Sequence, residues 1–400
     1  MTVLPALPHE RRVAGVSRQE LERRWALVRA HMEQHALDAI VAISNDDHLG
    51  GTTRWLTDYP VNYRRAVIFH RHGPMTVVDH GHIGTQRQLD GQDPLHPGVG
   101  ELLFTAEFQS VHYTQPYEGE RVAEVLKARG CRRIGLVNPG GMPHAFVATI
   151  TRDLPRTPDL IDVSDAIDSF MVVKSAEEIA LIRRAAAMQD EIFKRVLGEA
   201  RAGMRDFELS ALAQYHGRLL GAETGILLVG SAPQGTPSPM RLYPFQGRTI
   251  RQGDYVCLLI ENNGPAGYYT ELIRLVCIGD ISRELERIFA LTKIAQAETL
   301  RYFMPGAACG DIYAAYASHM ESLGHPADRR IYAHGQGYNL VERPLVRFDE
   351  PMRLAAGMNM AVHPTIVTPS VFAASCDNFL ITEDGPERLH ATEQAIFQVG

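Results

Sequence analysis

Residues 253–280, GDYVCLLIENNGPAGYYTELIRLVCIGD, constrain this chain more than any other stretch. Two runs rich in β-branched, aromatic and aliphatic residues flank Asn262-Asn263-Gly264-Pro265-Ala266-Gly267. Asn and Gly tolerate positive φ and Pro fixes its own, so this piece reads as a tight turn and the whole as a hairpin. Period-two alternation puts Tyr269, Glu271, Ile273, Leu275 and Cys277 on one face of the second strand. A carboxylate among apolar neighbours costs free energy unless something pairs with it. The partner of Glu271 is therefore the functional question.

Four hundred residues exceed what one hydrophobic core usually organises, so two domains are expected. Lys plus Arg is 40 against 47 Asp plus Glu, a net charge of −7. That balance gives no basis for a nucleic acid or a membrane as partner. The cysteines (Cys131, Cys257, Cys277, Cys309 and Cys376) are scattered and odd in number, which argues against a disulfide framework and for a reducing compartment. The opening MTVLPALPHERR lacks the apolar run of a signal peptide, and no stretch reaches about twenty uninterrupted apolar residues. A cytoplasmic protein is expected.

Along the chain, Ser17 and Glu20 form a capping box before a helix over 17–36 whose Leu21, Trp25, Val28 and Met32 share a face. Strands are expected at 39–43, 65–70, 75–79 and 133–137, which suggests an α/β domain over 1–165. The Pro-rich RDLPRTPDLIDVS (152–164) marks the boundary region. Beyond it, Ser175 and Glu178 form a second capping box. Helices are expected near 206–220, 283–302 and 311–323, with strands at 225–230, 332–340, 358–363 and 378–382 around the hairpin. This second domain, 166–400, reads as α+β.

With these elements placed, the chain resembles the pita-bread superfamily of creatinase, prolidase and methionine aminopeptidase. SRQELERRWALVRAHMEQHALDAIVAIS resembles the opening helix and strand of the creatinase-type N-terminal domain, and VVKSAEEIALIRRAAAM resembles the helix that begins the catalytic domain. GDYV, GYYTE, MPGAACGDIY, AHGQG, LAAGMNMAVHP and LITEDGPERL follow in family order. The resemblance implies a creatinase-type α/β N-terminal domain followed by a pita-bread α+β catalytic domain, and a homodimer.

The peptidases of that superfamily bind two metal ions through two Asp, one His and two Glu. Carried onto this sequence, the set is altered. The second Asp falls on Glu271, the His on His334, one Glu on His363 and the other on Cys376. The first Asp falls on Leu259 or Ile260, neither a ligand, with Glu261 close by. A substrate-binding histidine of the peptidases falls on Val341, and another on the Arg241-Leu242 region. The usual two-metal site is therefore not expected.

Three readings follow from these residues. In the leading one, a C–N bond of a small polar metabolite is hydrolysed without peptidase chemistry. Glu271 is then base or nucleophile, His334 and His363 move protons, and Tyr269 assists, while Tyr268, Arg241, Glu342, Arg64 and Glu261 contact substrate. Alternatively Glu271, His334, His363 and Cys376 bind a single Zn, Fe or Mn ion in a hydrolase or lyase. An Xaa-Pro peptidase and an inactive binding protein remain as further alternatives. An arginine such as Arg274 or Arg241 tied to Glu271 would favour the inactive form. By analogy with creatinase-type dimers, Tyr63 or an arginine of SNDDHLGGTTRWLTDYPVNYRR reaches a neighbouring active site.

Overall fold

In the computed structural model, which describes residues 15–44, 50–60 and 63–400, the β-branched runs of the N-terminal unit pair into one mixed sheet. Its strands lie in the order Gln86–Gln88, Val99–Thr105, Met75–His80, Arg65–His70, Ala39–Ser44, Arg133–Leu136, Asp159–Asp162. Ala39–Ser44 runs antiparallel to Arg65–His70 and parallel to Arg133–Leu136. All six residues of Arg65–His70 are buried, which is why this strand reads as a continuous run rather than an alternating one. Helices Pro116–Ala128 and His144–Asp153 bury Val122, Leu126, Phe146 and Ile150 against the sheet. In helix Arg18–Gln34, Ser17 Oγ caps Glu20 N–H, and Trp25 is buried with its indole N–H donating to Leu56 O. The expectations placed on residues 1–14, and on 45–49 and 61–62 of the segment thought to reach a neighbouring site, lie outside the described residues.

The chain divides into two compact units, Met1–Met171 and Val172–Gly400. The division falls six residues after the expected 165, at the end of a helix, Ser164–Val172. Met171 is buried within the first unit and accepts a weak bond from Thr52 Oγ1. Among the described residues no helix is long and apolar enough to cross a membrane.

The hairpin is the centre of the second unit. Asp254–Asn263 and Tyr269–Ile278 pair antiparallel, and all twenty residues are buried. Gly225–Pro233 and Ile396–Val399 extend them into a four-stranded sheet. Alternation works on both faces. Val256, Leu258, Ile260, Leu272, Val276 and Ile278 pack with helices Ala176–Glu199 and Asp206–Leu220. Tyr255, Cys257, Leu259, Ile273, Leu275 and Cys277 face the opposite core, with helices Arg283–Leu300 and Cys309–Ser322. Each such aliphatic side chain contributes roughly 1.5–3 kcal/mol on burial, so the sheet is fixed from both sides. The second capping box forms as expected at Ser175 and Glu178.

A second sheet carries the rest of the motifs, in the order Glu342–Leu345, Ala333–Gly335, Asn359–Val362, Asp377–Thr382, Gly385–Arg388. The single strand expected over 332–340 is instead the short Ala333–Gly335 followed by a turn. Glycine explains the difference: a side chain at Gly337 would strike Lys174 Nζ and the Glu342 carboxylate, and one at Gly335 would strike Arg343 O. The chain folds back on itself there. Ile273 and Cys376 exchange backbone hydrogen bonds and bridge the hairpin to this second sheet.

Gly264 at the hairpin turn is required by close approach. A Cβ at that position would collide with the Cβ and backbone of Ala185 in the helix Ala176–Glu199, and helix backbone cannot give way. Gly264→Ala is expected to destabilise the protein by about 1–3 kcal/mol. Urea denaturation reads this as a lowered midpoint, and an unchanged midpoint would contradict the packing described.

Candidate active site

Ladder register decides what faces Glu271. In the antiparallel pair the residue directly opposite is Glu261, and residues opposite one another project to the same face. The alignment of motifs had put the absent first aspartate on Leu259 or Ile260, but those side chains belong to the two apolar cores. Glu261 occupies the facing place.

The histidines arrive from the second sheet. His334 lies in Ala333–Gly335, which pairs with Asn359–Val362, so His363 follows directly on the neighbouring strand. The two rings lie 5.3 Å apart at 57°. His334 Nδ1 is 2.9 Å from Gly335 O, which makes Nδ1 a donor. Its Nε2 then faces Glu271 Oε2 at 3.6 Å. A proton or a metal ion fits between these two atoms. A histidine oriented by Nδ1–H to a backbone carbonyl is the usual arrangement of a metal ligand.

Glu271, His334 and His363 each offer a ligand atom, and these three atoms all lie within 4.8 Å of one another. Cys376, the fourth ligand expected from the sequence, is outside that set. Its thiol donates weakly to Asp377 O at 4.0 Å, and burial together with the charges of Glu271, Asp377 and Glu261 pushes its pKa well up. The donor set therefore fits one divalent ion at Glu271, His334 and His363 and does not fit the family's two.

The facing carboxyls divide one proton between them. Burial, the Glu271 charge and a hydrogen bond with Glu271 hold Glu261 well above the ordinary carboxyl range, against the opposing pull of Gln336 and Arg330. Burial also works against ionising Glu271, but His363, His334 and the Cys376 thiol outweigh it and keep it low. Glu271 is thus the ionised member and Glu261 the protonated one. Gln336 Nε2 donates to Glu261 Oε1 at 2.7 Å, which leaves Oε2 to carry the proton. His363 is lowered by burial, with the Glu271 charge pulling the other way.

A layer of amides holds this arrangement. Glu271 N–H donates to Asn378 Oδ1 at 2.6 Å, and Asn378 Nδ2 donates to Gln336 Oε1 and Asn359 Oδ1. Sequence reasoning passed over Gln336, Asn378 and Asn359. Only Gln336 left a signal, as a polar residue between the glycines of AHGQG. Of the other residues expected to touch substrate, several have their polar groups engaged. Tyr268 donates its hydroxyl to Glu178 Oε1 at 3.0 Å and packs its ring against Tyr338 at a tilt of 31°. Glu342 pairs with Lys174 at 2.7 Å and accepts from Asn339. Arg241 bridges Val229 through its backbone and is exposed. Arg64, in the first unit, pairs with Glu107 at 3.0 Å, and Tyr63 stacks on His80. Tyr269 shares the Glu271 face, is fully buried, and donates its backbone N–H to Gly337 O. Arg274 pairs with Asp377, at 2.7 Å, and not with Glu271.

The proton on Glu261 has a measurable sign. A carboxyl whose pKa is raised on folding loses stability as pH climbs from its unfolded value through its folded one. Gln mimics the protonated acid and abolishes that slope. Chelated Glu261→Gln protein is therefore expected to gain urea midpoint over the wild type at pH 8 and to gain little at pH 4. Parallel midpoint curves across that range would contradict a protonated Glu261.

The sequence profile of metallopeptidase family M24 matches residues 180–383, about half the chain and the whole of the region just described. An Xaa-Pro dipeptidase of Pyrococcus furiosus is 26% identical over 289 residues, 69% of this chain and 78% of that one. A creatinase of a Bacillus species is 22% identical over 410 residues, 93% of this chain and 91% of its own. The solved X-Pro aminopeptidase of Thermotoga maritima superposes with a TM-score of 0.78 at 16% identity, over 94% of this chain and 99% of the other. The expected architecture, an α/β N-terminal domain with a pita-bread catalytic domain, is the architecture found. The chain belongs to metallopeptidase family M24.

Proposed function

We propose that this protein hydrolyses an amide-type C–N bond in a small substrate, a short Xaa-Pro peptide being the first class to test, and uses one divalent ion where family members use two. The carrying observation is the trio Glu271, His334 and His363, with His334 Nε2 facing the Glu271 carboxylate. The names of most relatives favour a peptide over the metabolite preferred from sequence alone. Two imidazoles and a carboxylate suit Zn, Fe or Mn. An ion bound there supplies Lewis acidity and lowers the pKa of coordinated water.

The chain's own residues supply the rest. An amide nitrogen leaves only when protonated, and Glu261 Oε2 holds a proton in a dry site for that purpose. Glu271, ionised beside it, fixes that proton on Glu261 because two adjacent carboxyls cannot both be charged at low cost. His363 offers a ring nitrogen for coordination or for proton transfer. Asn378 and Gln336 orient the two carboxyls through their hydrogen bonds.

A creatine-type C–N bond is the second reading, favoured by the match with creatinase along nearly the whole of both chains. Purified protein with added Zn, Mn or Fe is expected to release proline from Ala-Pro. Glu271→Gln should lower kcat by at least about a hundredfold, because it removes a ligand of the ion and the charge that holds the proton on Glu261. Turnover of creatine in place of Ala-Pro would select the second reading. Equal turnover by wild type and variant would overturn the mechanism.

A further inference from the structure

The first unit gathers buried polar groups at one end of its sheet. Ala66, Val78 and Leu103 pack with Val122 of helix Pro116–Ala128 in one core. Two residues beyond these, toward that end of the sheet, alternation brings Arg64, His80 and Thr105 to the same face, with His80 and Thr105 paired in register. Glu118 lies one helical turn before Val122, and Glu107 follows the strand Val99–Thr105. The place is dry although its residues are polar: Glu118 and Thr105 are 1% exposed and Glu107 is 5% exposed.

Their hydrogen bonding is incomplete. Arg64 Nη1 donates to Glu107 Oε1 at 3.0 Å, while Arg64 Nε stays 4.0 Å from Glu118 Oε2. Both Glu118 oxygens, Glu107 Oε2, Arg64 Nε, Thr105 Oγ1 and His80 Nε2 are thus buried with no hydrogen-bond partner among the described residues. Each forfeits a bond it would make in water, and such atoms are rarely found together. Three of these six atoms are carboxyl oxygens and only Arg64 Nε must donate, so the cluster calls for donors. A metal ion fits poorly, because among the described residues only Glu271, His334 and His363 bring three ligand atoms within 4.8 Å. A polyatomic cation spans wider gaps. The rim suits one too: Tyr63 stacks on His80 at 4.8 Å, Phe108 meets that ring edge-on at 5.4 Å, and both outer rings are exposed. Aromatic faces attract cations.

We propose that Glu118 and Glu107 bind an organic cation bearing N–H donors, an alkylammonium or guanidinium group, which enters past Tyr63, His80 and Phe108. The site lies wholly within the first unit and uses none of the hydrolytic residues. Without a cation Glu118 keeps its proton: burial pushes its pKa up to about 8 against the pull of Arg64, with Glu107 and Asp79 adding to the rise. His80 is the remaining titratable group on that face. Helix His144–Asp153 meets the adjoining Gly119 with Phe146 and Thr149, neither of them charged. Binding therefore displaces the Glu118 proton, and affinity rises as pH climbs through about 8.

Calorimetric titration of the full chain with butylammonium, butylguanidinium and butyltrimethylammonium tests this. At pH 8.5 one of the first two is expected to bind at least about tenfold tighter than the quaternary ion, which has the charge but no N–H. The tighter of the two names the head group. Its affinity should fall at least about tenfold at pH 6.5, where little of Glu118 is ionised. Glu118→Gln, which keeps the shape of the protonated acid, should lose at least about tenfold in affinity at pH 8.5 and keep the wild-type urea midpoint at pH 6.5. Glu107→Gln should weaken binding as well. Glu124→Gln, on the exposed side of the same helix beside Arg121, should bind as wild type does. Three results would each overturn the proposal: no saturable binding of either N–H cation, equal binding of the quaternary ion, or binding that survives Glu118→Gln. An affinity that is flat between pH 6.5 and 8.5 would also overturn it.

Discussion

Two carboxyl groups held face to face in a dry strand pair govern the second unit. The Glu261–Glu271 register is not adjustable, because slipping either strand by one residue would turn every apolar side chain of the hairpin to the wrong core. Burial then forbids two charges side by side, so one proton stays. The pair is a fixed source of one acid and one anion, created by packing that is not itself catalytic. A site of this kind can do acid–base work whether or not an ion is bound beside it.

What surrounds the pair keeps it from collapsing. Arg274 is completely buried, yet its donors all end on carbonyls or on Asp377: it bonds Ile273, Cys376, Thr392 and Glu393 backbone oxygens as well as that carboxylate. A buried guanidinium so fully engaged is not available to neutralise Glu271, which is the arrangement an inert scaffold would have favoured. On the other side, His390 accepts from Asn378 N–H through Nδ1, which leaves its Nε2–H to donate to Gln189 Oε1. Gln189 in turn holds Asn262, the neighbour of Glu261. Every amide in this chain has its orientation set by the next, so the carboxyls are presented in one geometry.

Much of the fold was legible because its signals are local. Alternation and the Asn-Asn-Gly-Pro turn predicted the hairpin, and Ser175 with Glu178 predicted the start of the long helix, Ala176–Glu199. The 332–340 strand was misread because the reason it breaks is tertiary: Lys174 and Glu342 occupy the volume a side chain at Gly337 would need. In the site, Glu271, His334 and His363 could be found from motif positions, but the role of Glu261 could not. Its facing place depends on the length of a turn and the register of a ladder, and spacing along one strand carries neither. Asn378 and Gln336 were invisible for a related reason, since an amide becomes functional only through what it is bonded to across the sheet. Tyr268 and Glu342 are polar residues near motifs, and the structure shows what spacing could not, that their polar groups are engaged by Glu178 and Lys174.

The central claim is that family M24's two-ion centre has become a one-ion centre here, with a protonated carboxyl in the place of the second set of ligands. Anomalous diffraction at the zinc edge from crystals grown with excess zinc tests it most directly. The account predicts one anomalous peak per chain, bounded by Glu271, His334 and His363. Two peaks bridged by Glu271, with Glu261 or Cys376 completing the second, would contradict it.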